Sequence, residues 1–288
     1  MAKIQNFKID LVNILYKIYI NKKKNYSNSE FFKNQKKRIE KKIIKQNFNS
    51  ILIKFSKSLS LTKLRYFKMG KLNPSYLLGY NELIIFSFYL FNKKKYQNFI
   101  DVGANIGLHS IFFDKFNVNV KSFEPDEYHF KELKRNLLLN KTKNVKPYKF
   151  AVSNKNGDKT FVRVCDNTTG SHLIGKKKNP YGKLEKFKVK TVNLNRFLNG
   201  TCLVKIDAEG SEVDILKSIK KENFLNNDYI LEINNNKNAL KIFNLSKKNK
   251  TNIFSQKIGW KKVGSINDLP IHHTEGSIII TYQKYLDW

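Results

Sequence analysis

Carboxylates and glycines converge at three points in this 288-residue chain where a short apolar run ends. The first is Asp101-Val102-Gly103-Ala104-Asn105-Ile106-Gly107. Glycines at a strand-to-helix turn let the backbone pass close to a ligand, and the following helix presents free N–H groups. The dinucleotide fingerprint G-x-G-x-x-G is not matched, because no third glycine is present. An acidic residue opens the turn, which would repel a pyrophosphate and suits a ligand carrying a cationic amino group. The second point is Glu124, in Phe123-Glu124-Pro125, 23 residues after Asp101. That is close to the ~20-residue offset at which an acid reaches ribose hydroxyls in related folds.

The third point is Val204-Lys205-Ile206-Asp207-Ala208-Glu209-Gly210-Ser211-Glu212. Asp207 or Glu209 can take a proton from a substrate hydroxyl, or hold a divalent metal through oxygen. Glu212 reads instead as a first-turn acid, with Ser211 and Asp214 resembling a capping box. Glu232 ends another apolar run and can complete an acidic pocket. Among the five histidines, His172 sits in a polar stretch and is a candidate base; His272 and His273 lie near the C-terminus. Lys176 to Lys178 offer an anion contact. The two cysteines, Cys165 and Cys202, have neither zinc nor disulfide spacing, so no metal site is expected and a reducing cytoplasm is.

The elements that must position these residues alternate. Phe99–Val102, Val118–Phe123, Val145–Val152, Leu203–Asp207 and Tyr229–Ile233 read as strands. Leu108–Phe116, Asp126–Leu139, Glu212–Ile219 and a segment near Ala239–Leu245 read as helices, with Asp126 as an N-cap. Thr160–Val164 and Phe187–Val192 read as paired strands that interrupt the rhythm, and Trp260–Val263 with Ser277–Tyr282 as a closing antiparallel hairpin. The fold class is α/β, with a mostly parallel sheet covered by helices on both faces. Residues 1–75 read as a basic helical N-terminal extension, with Leu11, Ile14, Leu15 and Ile18 on one face, and residues 76–288 as the catalytic domain. The helices of the extension are expected to pack on that domain, with weak peripheral membrane association as a further role.

The formal net charge is +32. Only Arg38, Arg65, Arg135, Arg163 and Arg196 are arginine, and Lys, Asn and Ile are abundant together, the bias of AT-rich coding. Sites that read phosphate or base edges recruit arginine for its planar fork. The charge therefore reads as a solvated basic surface rather than a specific nucleic-acid site. The apolar residues from Ile4 to Ile20 are broken by Lys8, Asp10 and Lys17, unlike a signal peptide. The apolar run Leu83–Phe91 is about half the ~20 residues that a bilayer span requires.

The order of Asp101–Gly107, Phe123-Glu124-Pro125, Ala151-Val152-Ser153, Lys205–Glu212 and Leu231-Glu232-Ile233 resembles the FkbM-type methyltransferase family over roughly residues 80–283. The Lys-Ile-Asp-x-Glu-Gly-x-Glu segment is its most specific part. The resemblance implies a class I, Rossmann-like methyltransferase fold and S-adenosyl-L-methionine as donor. It implies that Asp101, Gly103, Asn105, Gly107 and Glu124 contact the cofactor, that Ala151 lies near the adenine, and that Asp207 and Glu209 face the reacting centre. It further implies O-methylation of a sugar hydroxyl in a glycan, glycolipid or secondary metabolite. Two other readings are an RNA methyltransferase and a non-catalytic basic adaptor. The Asn/Asp-Pro-Pro-aromatic segment of amino-directed base methylation is missing, and retention of all three acidic elements argues against the adaptor.

Overall fold

Leu11, Leu15 and Ile18 recur at helical spacing, and all three are buried. They turn one face of the first helix into the body of the protein. The structure is a computed structural model that describes residues 6–44, 50–177, 179–286 and 288. Ile4, where the N-terminal apolar run begins, lies outside the described residues. The chain opens with β1 (Asn6–Asp10), α1 (Val12–Ile20), α2 (Glu30–Ile39), β2 (Ser50–Lys54) and β3 (Thr62–Arg65). The three strands form a small sheet in the order β1-β2-β3, parallel then antiparallel. The expectation of helices alone for this segment is thus corrected. Ile51 and Ile53 in β2, and Thr62 and Leu64 in β3, point inward at alternate positions. That period of two is short and set among lysines, so helical spacing dominated the sequence pattern.

Next comes α3 (Tyr80–Asn92), buried on most of its surface. Such a helix belongs to an interior rather than to a solvent face. Phe86 of α3 lies 4.8 Å from Phe55 and 5.2 Å from Phe112, so the first segment and the following one share a core. The remaining elements are β4 (Asn98–Val102), α4 (Leu108–Asp114), β5 (Asn119–Phe123), α5 (Glu127–Leu139), β6 (Val145–Tyr148), β7 (Ala151–Val152), β8 (Gly157–Val164), β9 (His172–Leu173), β10 (Leu184–Val192), β11 (Cys202–Ile206), α6 (Glu212–Ser218), β12 (Asn227–Glu232), α7 (Asn236–Asn249), β13 (Asn252–Ser255), β14 (Lys261–Lys262) and β15 (Ser277–Thr281).

The main sheet runs β14-β13-β15-β12-β11-β4-β5-β6. From β12 to β6 the neighbours are parallel; β15 enters antiparallel to both β12 and β13. The parallel order reverses between β4 and β11, and in open α/β sheets the crevice at such a point is where ligands bind. The closing strands differ from the expected hairpin. The segments at 261–262 and 277–281 do not pair with each other; each flanks β13, whose buried Ile253 and Phe254 form a run too short to stand out in sequence.

The expected strand Val145–Val152 also divides. Tyr148 ends β6 in the main sheet, where its carbonyl accepts from Glu124 N at 3.1 Å. Ala151 and Val152 then join a second sheet, in the order β7-β10-β8-β9. This sheet is docked by Arg163 of β8, whose guanidinium donates to both oxygens of Asp126 at 2.6 and 3.1 Å. Asp126 is also the N-cap of α5, accepting from Tyr128 N at 2.8 Å. One carboxylate therefore starts a helix of the main layer and holds the second sheet against it.

Candidate active site

The turn after β4 follows from three positive-φ residues, Gly103 (φ 75°), Asn105 (φ 51°) and Gly107 (φ 90°). Gly103 N and Ala104 N both donate to Phe123 O at 3.0 Å, which pins the turn to the end of β5. Glu124, the next residue, is buried. Its carboxylate accepts from Asn105 N at 2.8 Å and Asp126 N at 2.9 Å. Burial pushes the Glu124 carboxyl up to about 8, against the pull of these two backbone bonds.

On the other side of the crevice, Asp207 N donates to Val102 O at 3.0 Å, joining the turn after β11 to the end of β4. Glu209 follows in the left-handed region, φ 47°, an uncommon conformation for a residue with a side chain. Glu212 organises this turn: it accepts from Ala208 N at 3.0 Å and from Gly210 N at 2.9 and 3.0 Å. The expected Ser211–Asp214 capping box does not form, since Ser211 makes no side-chain cap bond, and the Glu212 carboxylate binds the N–H groups of the preceding turn. Burial pushes Glu212 up to about 7.

These turns enclose a cavity of about 500 Å³. Of the candidates singled out in the sequence, Gly103, Asn105, Glu124, Ala151, Asp207, Glu209, Glu232 and His273 line it. Asp101, Gly107 and His172 are not among the lining residues. Asp101 lies beneath the turn, fully buried, with Oδ2 accepting from Ser110 Oγ at 2.6 Å and Oδ1 without a partner. Gly107 packs on Leu133, which a Cβ there would approach to 2.4 Å. His172 is buried, its Nδ1 3.1 Å from Gly170 O. Its neighbours Ser171 and Leu173 line the cavity, and the strand's alternation turns His172 to the other side.

Sequence reasoning missed several lining residues. Glu82, from the first turn of α3, and Tyr76, from the segment before it, come from outside the motif-bearing region. Thr168 and Thr169 come from the loop between β8 and β9. His129 is buried and bridges two walls: its ring is 2.8 Å from Asn105 Oδ1 through Nδ1 and 2.7 Å from Thr168 Oγ1 through Nε2. An amide oxygen only accepts, so Nδ1–H donates to Asn105 and Nε2 accepts from the Thr168 hydroxyl. Burial lowers the His129 pKa to about 4, with Arg163 acting in the same sense and Asp126 opposing, which keeps the ring neutral. Its only sequence signal was a histidine three residues after an N-cap aspartate.

The charges in the cavity are unlike those of the surface. Lys205 is buried, with Nζ 3.0 Å from Asp207 Oδ2. Burial alone would discharge this ammonium, but Asp207, Asp101 and Glu82 outweigh it and hold its pKa above the usual lysine value. Glu209 pairs with Lys177 at 2.5 Å. Burial and the Asp207 charge raise the Glu209 pKa, and Lys177 opposes them. Burial, with Asp207, Glu82 and Glu209 nearby, also raises Glu232. Lys176 pairs with Asp214 rather than standing ready for an anion, and Lys178 lies outside the described residues. Among the described residues, no three His, Cys, Asp or Glu side chains converge as metal ligands.

Residues 101–256 match the methyltransferase FkbM domain, which is more than half of the chain, and the protein belongs to this family. Among solved structures, it is similar to an FkbM methyltransferase from Methylobacillus flagellatus KT, with 12% identity and a TM-score of 0.43, over 65% of this chain and 44% of that one. The chain thus spans less than half the length of that relative. It is also similar to a ribosomal protein L11 methylase from Lactobacillus delbrueckii subsp. bulgaricus, with 12% identity, a TM-score of 0.39, and coverage of 72% and 82%. A third is a precorrin-6y C5,15-methyltransferase from Geobacter metallireducens GS-15, with 11% identity, a TM-score of 0.38, and coverage of 68% and 87%. No curated protein matches the sequence. The order of the parallel strands, the antiparallel β15 among them and the family together define an α/β, class I methyltransferase fold.

Proposed function

We propose that this protein transfers a methyl group from S-adenosyl-L-methionine to a hydroxyl of a carbohydrate or small-molecule acceptor. The observation that carries the reading is one cavity lined by two chemically distinct groups of residues. One group is Gly103, Asn105, Phe123, Glu124, Pro125, Phe150, Ala151 and Val152. Apolar side chains beside a carboxyl group suit an adenosine, with Glu124 assigned to the ribose hydroxyls and Ala151 to the base. The turn meets such a ligand with backbone at Gly103, whose Cβ position faces away from it and is filled by the Asp207 carbonyl. Asp101, one residue behind that wall, keeps an unsatisfied buried oxygen and adds negative charge to a site for a cationic group. When bound, the cofactor supplies an electrophilic methyl group on a sulfonium.

The other group brings hydroxyls from Thr168, Thr169 and Ser171, the Tyr76 ring, and carboxylates from Asp207, Glu209 and Glu232. The Thr168 hydroxyl donates to His129 and the Thr169 hydroxyl to Asn167 Oδ1, so both offer lone pairs, which with the Ser171 hydroxyl and an aromatic face suit a polyhydroxylated acceptor. Within this reading Glu209 accepts the acceptor's hydroxyl proton as the oxygen forms its bond to carbon. Its raised pKa strengthens it as a base, and the Lys177 ammonium beside it opposes that rise. Asp207, fixed by Lys205, orients the acceptor. Calorimetry with S-adenosylmethionine and S-adenosylhomocysteine tests the first group. A methyl-transfer screen over glycan, small-molecule and RNA acceptors tests the second. Failure to bind either cofactor form would remove the enzyme reading, and transfer to RNA alone would replace the acceptor class.

A further inference from the structure

The described residues contain no helix long and apolar enough to cross a membrane. They do present one surface where aromatic and aliphatic side chains stand exposed among lysines. Helices α1 and α3 lie side by side, fastened where Ser87 Oγ donates to Leu15 O at 2.8 Å. Their C-terminal turns expose Tyr16 (58%), Ile20 (59%) and Phe91 (40%). Tyr19 stacks on Phe91, with ring centroids 3.7 Å apart, and Tyr16 sits 6.4 Å from the same ring. Each helix then runs into a lysine triplet: Lys22-Lys23-Lys24 after α1, and Lys93-Lys94-Lys95 after α3. Lys22 Nζ lies 4.5 Å above the Tyr19 ring, so the first triplet borders the apolar cluster directly.

The two segments themselves carry only basic charge, and Asp228 of β12 joins the second by accepting from Tyr96 Oη at 2.7 Å. Residues 11–29 contain four lysines and no acid; residues 83–100 contain three lysines and no acid. A third basic pair joins them. A Cβ on Gly259 would come within 2.5 Å of Lys23 O, which brings the turn before β14 against the first triplet. Both residues of β14, Lys261 and Lys262, are exposed. A surface of exposed tyrosine, phenylalanine and isoleucine ringed by lysines matches the interfacial region of a bilayer bearing anionic headgroups. The rings reach the headgroup level while the ammonium groups meet phosphate.

We infer that this face, built from the C-terminal turns of α1 and α3 and their lysine triplets, docks the protein on anionic membrane surfaces. A dispersed net charge of +32 would attract anionic lipid from any side. The inference is that binding is localised here and requires the apolar residues as well as the charge. The face is separate from the cavity: Glu82 lines the cavity in the first turn of α3, whereas Phe91 lies in its last turn. Docking at one end of this helix therefore leaves the cavity unaltered.

The test uses the full chain with vesicles of phosphatidylcholine alone, or with about 30% phosphatidylglycerol, in co-sedimentation at low and at physiological salt. The combined substitution Tyr16→Ser, Ile20→Ser and Phe91→Ser should cut partitioning onto anionic vesicles at least ~10-fold. The combined substitution Lys23→Gln, Lys24→Gln and Lys94→Gln should do the same, since each basic residue near such a surface contributes roughly fivefold. The control Lys186→Gln, Lys188→Gln and Lys190→Gln removes equal charge from exposed positions on β10 and should change little. Equal losses in the two lysine variants would show generic attraction and overturn the inference, as would an apolar variant that binds like the parent. Unchanged circular dichroism melting guards against misfolding. A polarity-sensitive dye on Ile20→Cys gives a second readout, and must shift to the blue on anionic vesicles but not on neutral ones. A solution dimer dissolved by the apolar substitutions would assign the face to a second copy and also overturn the inference.

Discussion

The carbonyl oxygen of Asp207 occupies the space that a side chain on Gly103 would need, 2.0 Å from the position of its Cβ. The glycine turn and the acidic turn are therefore one structure, closed across the strand switch point. Gly103 also holds φ 75°, which penalises any side chain independently. Gly103→Ala should destabilise the fold by about 2–4 kcal/mol, since strain and overlap act together. Thermal unfolding measures it; a melting temperature equal to the parent's would show that the turns move apart freely.

Glu124 gives the second expectation. With both oxygens fixed by backbone N–H groups, it remains in the cavity wall with lone pairs to offer a ligand. Glu124→Ala should weaken cofactor binding by about 1–3 kcal/mol, the loss typical of a buried hydrogen-bond partner. An unchanged dissociation constant for S-adenosylmethionine would take Glu124 out of the site.

His129 makes a prediction about acid. Its pKa falls from 6.5 to about 4 on folding. Between those values the unfolded chain holds more protons than the folded one, so folding stability rises with pH. The contribution is present in full above pH 6.5 and is lost as pH falls toward 4. His129→Gln, which can still reach one of the two partners, should flatten this part of the stability profile by about 1–3 kcal/mol. Nitrogen-15 NMR should show the parent ring neutral with the proton on Nδ1 at pH 6; a ring that titrates near 6.5 would contradict the buried bridge.

At the acidic turn, Glu209→Gln should lower turnover by about 10²–10⁴-fold with cofactor affinity nearly constant, as for loss of a general base. Asp207→Asn should affect both, because Asp207 neutralises Lys205 and closes on Gly103. Chelation separates this account from one in which a divalent metal activates the hydroxyl. Activity that survives chelation supports direct base catalysis; loss restored by Mg²⁺ supports a metal. Full turnover by Glu209→Gln on a verified acceptor would leave Glu209 as a structural acid.

The sequence alone determined the strand–turn–helix units that carry Asp101–Gly107, Glu124 and Asp207–Glu209. Their signals are local: apolar runs of strand length, glycines at left-handed positions, and an N-cap at Asp126, each set by residues a few places apart. It also placed the acids at strand ends. Only the tertiary structure decided which of them reach the cavity. Asp101 near the end of β4 and Asn105 in the turn that follows are four residues apart, yet the first is sealed behind Ser110 and the second lines the wall. His172 and Ser171 are adjacent, yet the pleat turns only Ser171 inward. Glu82, Tyr76, His129 and Thr168 meet there because sheet order brings distant segments together, and no spacing along the chain encodes that meeting. The same holds for the exposed face: each lysine triplet is plain in the sequence, but Tyr19 on Phe91 joins them only because α1 packs along α3. Hydrogen-bonding pattern and periodicity act over a few residues, whereas side-chain partnership depends on which buried surfaces the whole chain can close against each other.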